Sequence, residues 1–401
     1  MNLSLGDDQE AFRSAFVAWL RENLPWEHGH GLPPRFDDLA EEVRFLRGWQ
    51  RRLAEGGWIG VSWPEGYGGR GLGPTEHFIT QVELARAHAP ELIGRIGINL
   101  AGPTLLAHGT EAQKARWLRR ILTAEDHWCQ LFSEPGAGSD LGAISTRAAR
   151  VRAGGWVLDG EKVWTSYAQF ADWGVCLART GGPGHGGISY FAVDMHAPGV
   201  EVRPLRQMTG DAEFDEVLFS DVQVPDDCLI GEEGRGWAVA TSTLSHERGT
   251  SPRQLVIHMQ LLEELLRLGL ANGSFTRWRA RRGLAQAFTE VKLFELHNWR
   301  GLSRLERGED PGPEGSALKL YWSEMSKRLH ATAMELLGDA APLWRGSGHN
   351  PGDGAWQRSW LYYQASSIFA GTNEIQRNVI GERVLGLPLE PSVRKGATSG
   401  E

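Results

Sequence analysis

Apolar side chains recur every three or four residues through the first and last thirds of the chain, which is the spacing of an amphipathic helix. Near the amino terminus this spacing is kept by Phe12, Phe16, Trp19 and Leu20, and later by Val43, Leu46 and Leu53. Further helices are predicted at 75–87, 97–106 and 110–122, where Thr110 can cap the last. We therefore predict helices from residue 7 to about 125, interrupted by a glycine-rich loop at 56–69.

The period changes near residue 127, where short β-prone runs begin. In one of them Asp159-Gly160 separates two such runs, a pattern that predicts a β-hairpin. Further strands are predicted at 174–178, 188–194, 200–205 and 216–224. We interpret this part of the chain as a small antiparallel β-domain.

Helical spacing returns at Gly234 and continues almost to the end. Pro252 must kink or restart the first long helix, at 255–270, and a second is predicted at 284–307. A buried third helix is predicted by alternating spacings of four and three at Leu318, Trp322, Met325, Leu329, Thr332 and Leu336. The predicted fold class is α+β, with these domains: 1–126 helical, 127–233 antiparallel β, 234–391 a four-helix bundle, and 392–401 a flexible tail.

Composition narrows the classes of function. The 401 residues are 41% apolar, enough for a large core, and the net charge of −8 argues against a nucleic-acid binder. Cys129, Cys176 and Cys228 form no metal-type pairing, so we expect buried free thiols and no metal site. No signal peptide or apolar run of about 20 residues is present, so we expect a cytoplasmic protein that does not enter a membrane.

A glycine break interrupts the last predicted helices. Trp356, Trp360 and Tyr363 keep helical spacing up to Ala370-Gly371, and Asn373 with Gln376 can form a capping box that restarts the helix. Such a break suits close approach of a ligand, including an anion at the helix start. It also fits an ordinary helix–turn–helix corner.

Two stretches of the β-domain suit a flat ligand. The loop Phe132–Asp140, with the sequence FSEPGAGSD, offers backbone N–H groups and two hydroxyl groups that a ligand could approach closely. In a strand, Trp164 and Ser166 share one face and would offer a flavin edge a stacking ring and a hydrogen bond. Taken singly, these features also fit a common Gly-Ser loop and a core tryptophan.

These stretches together resemble the acyl-CoA dehydrogenase family. FSEPGAGSD precedes DGEKVWTS in the family's order and spacing, and Ile368–Arg377 (IFAGTNEIQR) resembles its carboxy-terminal signature. The order GGW, WP and GYGG resembles its amino-terminal domain, so the likeness covers roughly residues 7–388. The resemblance implies that the cofactor is FAD.

The resemblance also implies roles for individual residues. Gln130, Phe132 and Ser133 would hold the flavin ring, and Gly138 and Ser139 would lie near the pyrophosphate or the CoA arm. Contacts to the flavin are further implied for Trp164, Thr165 and Ser166, and contacts to the rest of FAD for Thr372, Glu374 and Gln376.

The family's usual catalytic glutamate is missing, because Ala370 stands at its position. Glu247 lies on the stripe of Trp237, Ala240, Thr241 and Leu244, where it is either frayed into solvent or held in an apolar pocket that would raise its pKa. In the family, members that take bulky acyl groups carry their base there in a Glu-Arg pair. The resemblance thus implies Glu247 as the base, Arg248 and Ser139 as substrate contacts, and the N–H of Ala370 as a donor to the thioester oxygen.

Two departures from the family concern its subunit contacts. The segment Ala271–Trp278 lacks the Arg-x-x-Phe-Gly that homotetrameric members lend to a neighbour's FAD, and Asp339 replaces a glycine in a second such contact. This pattern resembles catalytic subunits of actinobacterial steroid side-chain acyl-CoA dehydrogenases, which are α2β2 heterotetramers. It implies a second dehydrogenase-like subunit, although a homo-oligomer stays open, and an electron-transfer flavoprotein as acceptor.

The expected reaction is FAD-dependent α,β-dehydrogenation of a bulky or branched acyl-CoA to the trans-2-enoyl-CoA. Two alternatives remain: a flavin monooxygenase or desulfinase of the same fold, and a non-catalytic partner subunit. The acyl group could be a steroid, a branched chain or a polyketide-derived chain, on CoA or on a carrier protein.

Overall fold

In the computed structural model, the chain forms helices first, then the strands of a sheet, and then further helices. The residues it describes are 5–25, 36, 38–246, 250–309 and 312–388. The predicted tail at 392–401 lies outside them.

Five helices form the amino-terminal layer: α1 (Asp7–Asn23), α2 (Leu39–Glu55), α3 (Pro74–Arg86), α4 (Gly102–His108) and α5 (Glu111–Leu122). The predicted cap of α5 is confirmed, since the hydroxyl of Thr110 accepts from the N–H of Gln113 at 3.3 Å. One hydrophobic core joins these helices to the sheet, so the amino-terminal and β-domains pack together.

Seven strands form one sheet: β1 (Trp128–Leu131), β2 (Arg147–Arg150), β3 (Trp156–Ser166), β4 (Trp173–Arg179), β5 (Ile188–Asp194), β6 (Val200–Leu205) and β7 (Phe214–Val224). Their order is β1-β4-β2-β3-β7-β6, and β5 lies off this path, paired antiparallel to β4. Most pairs are antiparallel, but β4 runs parallel to both β1 and β2, so the sheet is mixed rather than antiparallel throughout. Such pairing is possible because β2 and β3 intervene in the chain and give the long crossover that parallel strands need.

The predicted hairpin at Asp159-Gly160 is wrong. β3 continues through Gly160, where a β-bulge shifts the register against β7. Gly160 has φ of +147°, and a Cβ there would lie 2.7 Å from the Cα of Thr146. The glycine is therefore required by a close backbone approach rather than by a turn.

Six helices form the carboxy-terminal layer: α6 (Gly236–His246), α7 (Pro252–Ala271), α8 (Trp278–Leu305), α9 (Gly315–Leu337), α10 (Ala355–Gln364) and α11 (Asn373–Val379). Pro252 occupies the first turn of α7, so the prediction that it restarts the helix is confirmed. Helices α7 to α10 pack as the predicted bundle around Leu265, Phe294, Met325 and Leu329. The α+β fold class is thereby confirmed.

Phe288 lies on the outside of the bundle. It is 52% exposed, whereas Val291 and Phe294 on the same helix are buried. The three cysteines are buried and free, as the sequence predicts. Within the described ranges, no helix has the length and apolar character needed to cross a membrane.

Candidate active site

The loop after β1 lies directly against β3. The N–H of Val163 donates to the carbonyl of Ser133 at 2.9 Å, and the Lys162 ammonium donates to the carbonyl of Phe132 at 3.2 Å. Gln130 is partly exposed on β1, which leads into this loop. The two stretches that the sequence suggested for a flat ligand are therefore brought together.

A buried ion pair holds the loop to the strand. Lys162 lies 2.7 Å from Glu134, and the same carboxylate accepts from the N–H of Ser145 at 2.6 Å and the N–H of Thr146 at 3.0 Å. Burial alone would raise the pKa of Glu134, but Lys162 and these donors outweigh it and lower the pKa to about 2. No role was predicted for either residue. The available signal, a lysine inside a β-prone run, does not identify its partner.

Trp164 adopts a left-handed backbone at a second β-bulge. Its φ is +61°, and the register shift falls between Lys162 and Thr165. Left-handed backbone is unusual for a bulky residue and is retained where neighbouring structure enforces it. The indole is 61% exposed and meets the ring of Phe214 at 6.2 Å. Trp164 and Ser166 are accessible while Thr165 between them is buried, as the alternation predicts.

The predicted pyrophosphate or CoA segment is exposed. Glu134 and Ala137 bond reciprocally across a tight turn, after which Gly138 and Ser139 face solvent. A Cβ on Gly138 would meet nothing within 4 Å, so no packing within the described chain requires glycine there. A cavity of about 710 Å³ begins just beyond, between Gly142 and Gly182. Arg179 fixes both of its walls by donating to the carbonyls of those two glycines.

The carboxy-terminal signature forms a left-handed turn. Ala370 has φ of +54° and Gly371 has φ of +82°. Thr372 caps α11, because its hydroxyl accepts from the N–H of Ile375 at 3.2 Å. The predicted cap by Asn373 is therefore wrong: the Asn373 side chain is buried and bonded elsewhere.

Side chains from α9 and α11 donate hydrogen bonds to the carbonyls of this turn. Gln376 donates to the carbonyls of Ala370 at 3.0 Å and Gly371 at 3.2 Å, and Lys319 donates to that of Gly371 at 2.8 Å. The Asn373 amide oxygen accepts from Lys319 at 3.1 Å and from Ser323 at 2.9 Å. Burial lowers the pKa of Lys319 to about 8.

This network holds the two carbonyls that follow the Ala370 N–H, while the N–H itself lies on the preceding peptide. No residue that the structure describes accepts a hydrogen bond from that N–H. Gln376, predicted to contact FAD, is itself buried, whereas Glu374 is exposed and pairs with Arg377 at 3.3 Å.

Replacing Asn373 by Ala should loosen the turn. It removes the acceptor of Lys319 and Ser323, and we expect a loss of about 1–3 kcal/mol in the free energy of unfolding. Activity should fall with it, because the turn that carries the N–H of Ala370 loosens. Denaturant unfolding and steady-state kinetics measure the two effects.

The matched control is Asn378→Ala, on the exposed side of the same helix. It should change neither quantity appreciably. Equal effects of the two variants would show that the Asn373 contacts do not hold the turn.

The predicted base lies outside the described residues, as does Arg248. Helix α6, which runs up to His246, packs between β5 and α4. Of the predicted stripe on it, Ala240 is buried and Trp237 is partly buried, stacked on His185 at 3.8 Å. Thr241 is exposed, so the stripe is narrower than its spacing suggested.

Together the residues fit a flat aromatic ring that carries an anionic arm. Trp164 offers an accessible ring face, and the hydroxyl of Ser166 bonds to no residue within the described part of the chain. The exposed backbone at Gly138 and Ser139 offers N–H groups to phosphate oxygens. These features are those that FAD would need.

Three family models match the chain in sequence. They describe the N-terminal, middle and C-terminal domains of acyl-CoA dehydrogenases and match residues 6–125, 129–222 and 234–385. Acyl-CoA dehydrogenase IpdE1 from Mycobacterium tuberculosis is 40% identical over 96% of this chain and 99% of its own. IpdE1 from Mycolicibacterium smegmatis is 38% identical over 95% and 98%.

Solved structures agree with the sequence matches. The ChsE4-ChsE5 complex from Mycobacterium tuberculosis contains a chain with a TM-score of 0.83, 30% identical over 97% of this chain and all of that one. A chain of the Tcur3481-Tcur3483 steroid acyl-CoA dehydrogenase gives the same TM-score at 28% identity, over 97% of this chain and 100% of its own. The chain therefore belongs to the acyl-CoA dehydrogenase family and is an FAD-dependent oxidoreductase that acts on acyl-CoA.

Proposed function

We propose that this enzyme dehydrogenates a bulky or branched acyl-CoA and that Glu247 is its base. The observation that carries the proposal is the turn at Ala370, which offers a free N–H but no carboxylate. A small side chain there also leaves room for a wide acyl group. Glu247 follows directly on a helix that packs against the sheet, at a position where family members with bulky substrates carry their base.

The reaction needs a base, an oxyanion donor and a hydride acceptor. Glu247 would take the α-proton, the β-hydrogen would leave with its electron pair, and the α–β double bond would form. Charge develops on the thioester oxygen, where the N–H of Ala370 would stabilise it. Bound FAD supplies the hydride acceptor, and an electron-transfer flavoprotein would receive the electrons.

The cofactor would be held by the two segments that meet at β3. Trp164 and Ser166 would face the flavin ring together with Gln130, Phe132 and Ser133. Thr165 is buried and would contribute through its backbone. Thr372 and Glu374 would reach the remainder of FAD, and Gln376 would act by holding the turn. Ser139 and Arg248 would bind the CoA arm.

A second dehydrogenase-like subunit would complete the FAD site. Two of the similar solved structures carry the names of two components, ChsE4-ChsE5 and Tcur3481-Tcur3483. The segment Ala271–Trp278 lies next to the stretch that contains Asp339. Asn272 and Ser274 donate to the carbonyl of Leu336, at 2.8 and 3.2 Å, three residues before the exposed Asp339. A carboxylate there would repel a neighbour's pyrophosphate.

The outer faces of α7 and α8 support such an assembly. Large apolar side chains that are at least 40% exposed are Leu266, Leu270, Trp278, Phe288, Leu293 and Leu296. Clusters of exposed apolar side chains commonly mark protein–protein contacts.

The test is to purify the chain alone and after co-expression with a neighbouring dehydrogenase-like gene product. We expect full FAD content only in the complex, and turnover only there, with an electron-transfer flavoprotein rather than oxygen as acceptor and a product two hydrogen atoms lighter than the acyl-CoA. Full FAD and turnover by the chain alone would refute the two-subunit assembly. An oxygen requirement with an oxygenated product would favour a monooxygenase.

A further inference from the structure

Strand β7 supports both ends of the segment Trp164–Ser166, which is proposed above to face the flavin. The ring of Phe214 meets that of Trp164 at 6.2 Å, and the carbonyl of Glu213 accepts from the N–H of Tyr167 at 2.8 Å. Trp164 and Tyr167 have left-handed backbones, with φ of +61° and +53°, a conformation that persists only where surrounding structure enforces it. The start of β7 therefore lies directly against this segment.

Asp215, the residue after Phe214 on β7, lies behind the segment. It is paired with Thr165 in the register of β3 and β7, and paired residues on antiparallel strands have Cα atoms about 5 Å apart. Successive side chains of a strand point to opposite faces, so Asp215 points away from the face on which Phe214 meets Trp164. Asp215 and Thr165 are both buried, whereas Trp164 is exposed. The carboxylate thus lies on the core side of the strand whose other side would face the flavin.

The charge of Asp215 is poorly compensated. Its Oδ2 accepts from the N–H of Gln169 at 3.2 Å, in the short turn that follows the segment. Its Oδ1 is buried and has no hydrogen-bond partner among the described residues. No cation in the described ranges forms an ion pair with it, and its ionised form is favoured by backbone N–H groups alone. Burial raises the pKa of Asp215 to about 6, so the group is ionised above that pH at a cost in stability.

The hydrogen bond to the turn does not account for a charged residue here. Asparagine has the size of aspartate and keeps one oxygen that could accept from the N–H of Gln169, without bringing a charge into the core. What aspartate adds is the charge itself. A flavin that accepts a hydride gains one negative charge, and a carboxylate behind it opposes that gain. Because Asp215 is buried, salt and water screen this repulsion little.

We infer that the buried carboxylate of Asp215 lowers the reduction potential of the bound flavin. The inference rests on the proposed function, in which Trp164 and Ser166 face the flavin ring. A lower potential makes the reduced flavin a stronger electron donor to its acceptor, while reduction by the acyl-CoA becomes less favourable. Asp215 therefore sets the balance between the two halves of the reaction without touching the substrate.

The test compares the flavin midpoint potential of the assembled wild-type enzyme with that of Asp215→Asn, by reductive titration against a reference dye at pH 8 without acyl-CoA. At a fixed potential, we expect the ratio of reduced to oxidised flavin to be at least about 10-fold higher in the variant, a shift of about +30 mV for a two-electron couple. The melting temperature of the variant should not fall, because the substitution removes a poorly compensated buried charge.

The difference between the two midpoints should depend on pH. At pH 5 the wild-type carboxyl is protonated, so the midpoints of wild type and Asp215→Asn should converge. The titratable side chain that interacts with Asp215 from β1 is Cys129, and burial raises the pKa of its thiol well above the usual value, so it stays protonated throughout. On β6 the residue opposite Asp215 is Pro204, which carries no charge. A difference that is the same at pH 8 and pH 5 would contradict the inference.

The control is Asp221→Asn, which makes the same chemical change on the same strand. The Asp221 side chain is exposed, so water screens its charge, and the midpoint should stay at the wild-type value. A wild-type midpoint in Asp215→Asn, or an equal shift in Asp221→Asn, would overturn the inference. Should Asp215→Asn fail to assemble, Asp215→Thr removes the charge with a side chain suited to a strand, and its midpoint is judged in the same way.

Failure of the proposed function is recognised separately. The midpoint is measured without acyl-CoA, so an enzyme that does not dehydrogenate acyl-CoA still gives a result for Asp215. Ser166→Ala tests where the flavin lies: an unchanged flavin spectrum and unchanged FAD affinity would refute its placement on this segment, and the inference with it. A changed spectrum in Ser166→Ala, together with a wild-type midpoint in Asp215→Asn, would refute the inference alone.

Discussion

Replacing Glu247 by Gln is expected to lower kcat for acyl-CoA dehydrogenation by about 10²- to 10⁴-fold while leaving FAD content unchanged. Glutamine matches glutamate in size but cannot accept the α-proton. Anaerobic mixing of the assembled enzyme with acyl-CoA measures the step directly through loss of the oxidised flavin absorbance. FAD content and the melting temperature report whether the variant is otherwise intact.

The control is Glu263→Gln, on the exposed side of α7, where the carboxylate pairs with Arg267 at 3.2 Å. It should leave kcat unchanged. Unchanged activity of Glu247→Gln in the assembled complex would assign catalysis to the partner and make this chain a scaffold.

Adding Ala370→Glu to Glu247→Gln tests whether a carboxylate at residue 370 can replace the proposed base at residue 247. We expect only partial recovery, because the added side chain crowds a turn whose backbone is already held in place by Gln376 and Lys319. Full recovery would show that the two positions are interchangeable.

Replacing Lys162 by Met should destabilise the protein by about 3–5 kcal/mol at pH 7, because it leaves the Glu134 carboxylate buried without its cation. Glu134 is 5% exposed, so water cannot take the place of the ammonium. The loop carrying Phe132 and Ser133 should loosen, and FAD retention should fall. Denaturant unfolding measures the first effect and flavin release the second.

A matched control is Lys114→Met on α5. Lys114 pairs with Glu111 at 2.9 Å, but that carboxylate side chain is 78% exposed. The expected loss of stability is small, because water can replace the ammonium beside an exposed carboxylate. Similar losses in the two variants would show that burial does not strengthen the Lys162 pair.

The Lys162 effect should depend on pH in a defined direction. The pKa of Glu134 is lowered from 4.5 to about 2, so its contribution to stability is complete above pH 4.5 and is lost as the pH falls toward 2. The gap between wild type and Lys162→Met should therefore narrow below pH 4.5. A gap that stays constant from pH 7 to 3 would contradict the assignment.

Local patterns were sufficient to predict much of the fold. β5 and β6 coincide with the predicted strands, and α9 with the predicted long helix, because alternation and helical spacing are properties of neighbouring residues. The bulge at Gly160 was predicted as a hairpin because its cause, Thr146, lies on another part of the chain. The same limit applies to the cap of α11, where a buried network takes Asn373 away from the helix start.

The segments of the candidate site could be predicted where each is a contiguous motif, and not where contacts join distant parts of the chain. Trp164 and the turn at Ala370 were found from their motifs. The pairing of Lys162 with Glu134 and the support of the turn by Lys319 follow no spacing rule.

The hydrogen bonds that Asn272 and Ser274 donate to the carbonyl of Leu336 form an anchor that bears on how the proposed two-subunit enzyme would evolve. Asn272 and Ser274 tie one altered segment to the end of the helix that leads into the other, at Asp339. Restoring the first segment would remove this anchor, and restoring either segment alone would leave the proposed cross-subunit contact incomplete. Under the proposed two-subunit assembly, return to self-sufficiency would thus need several coordinated substitutions.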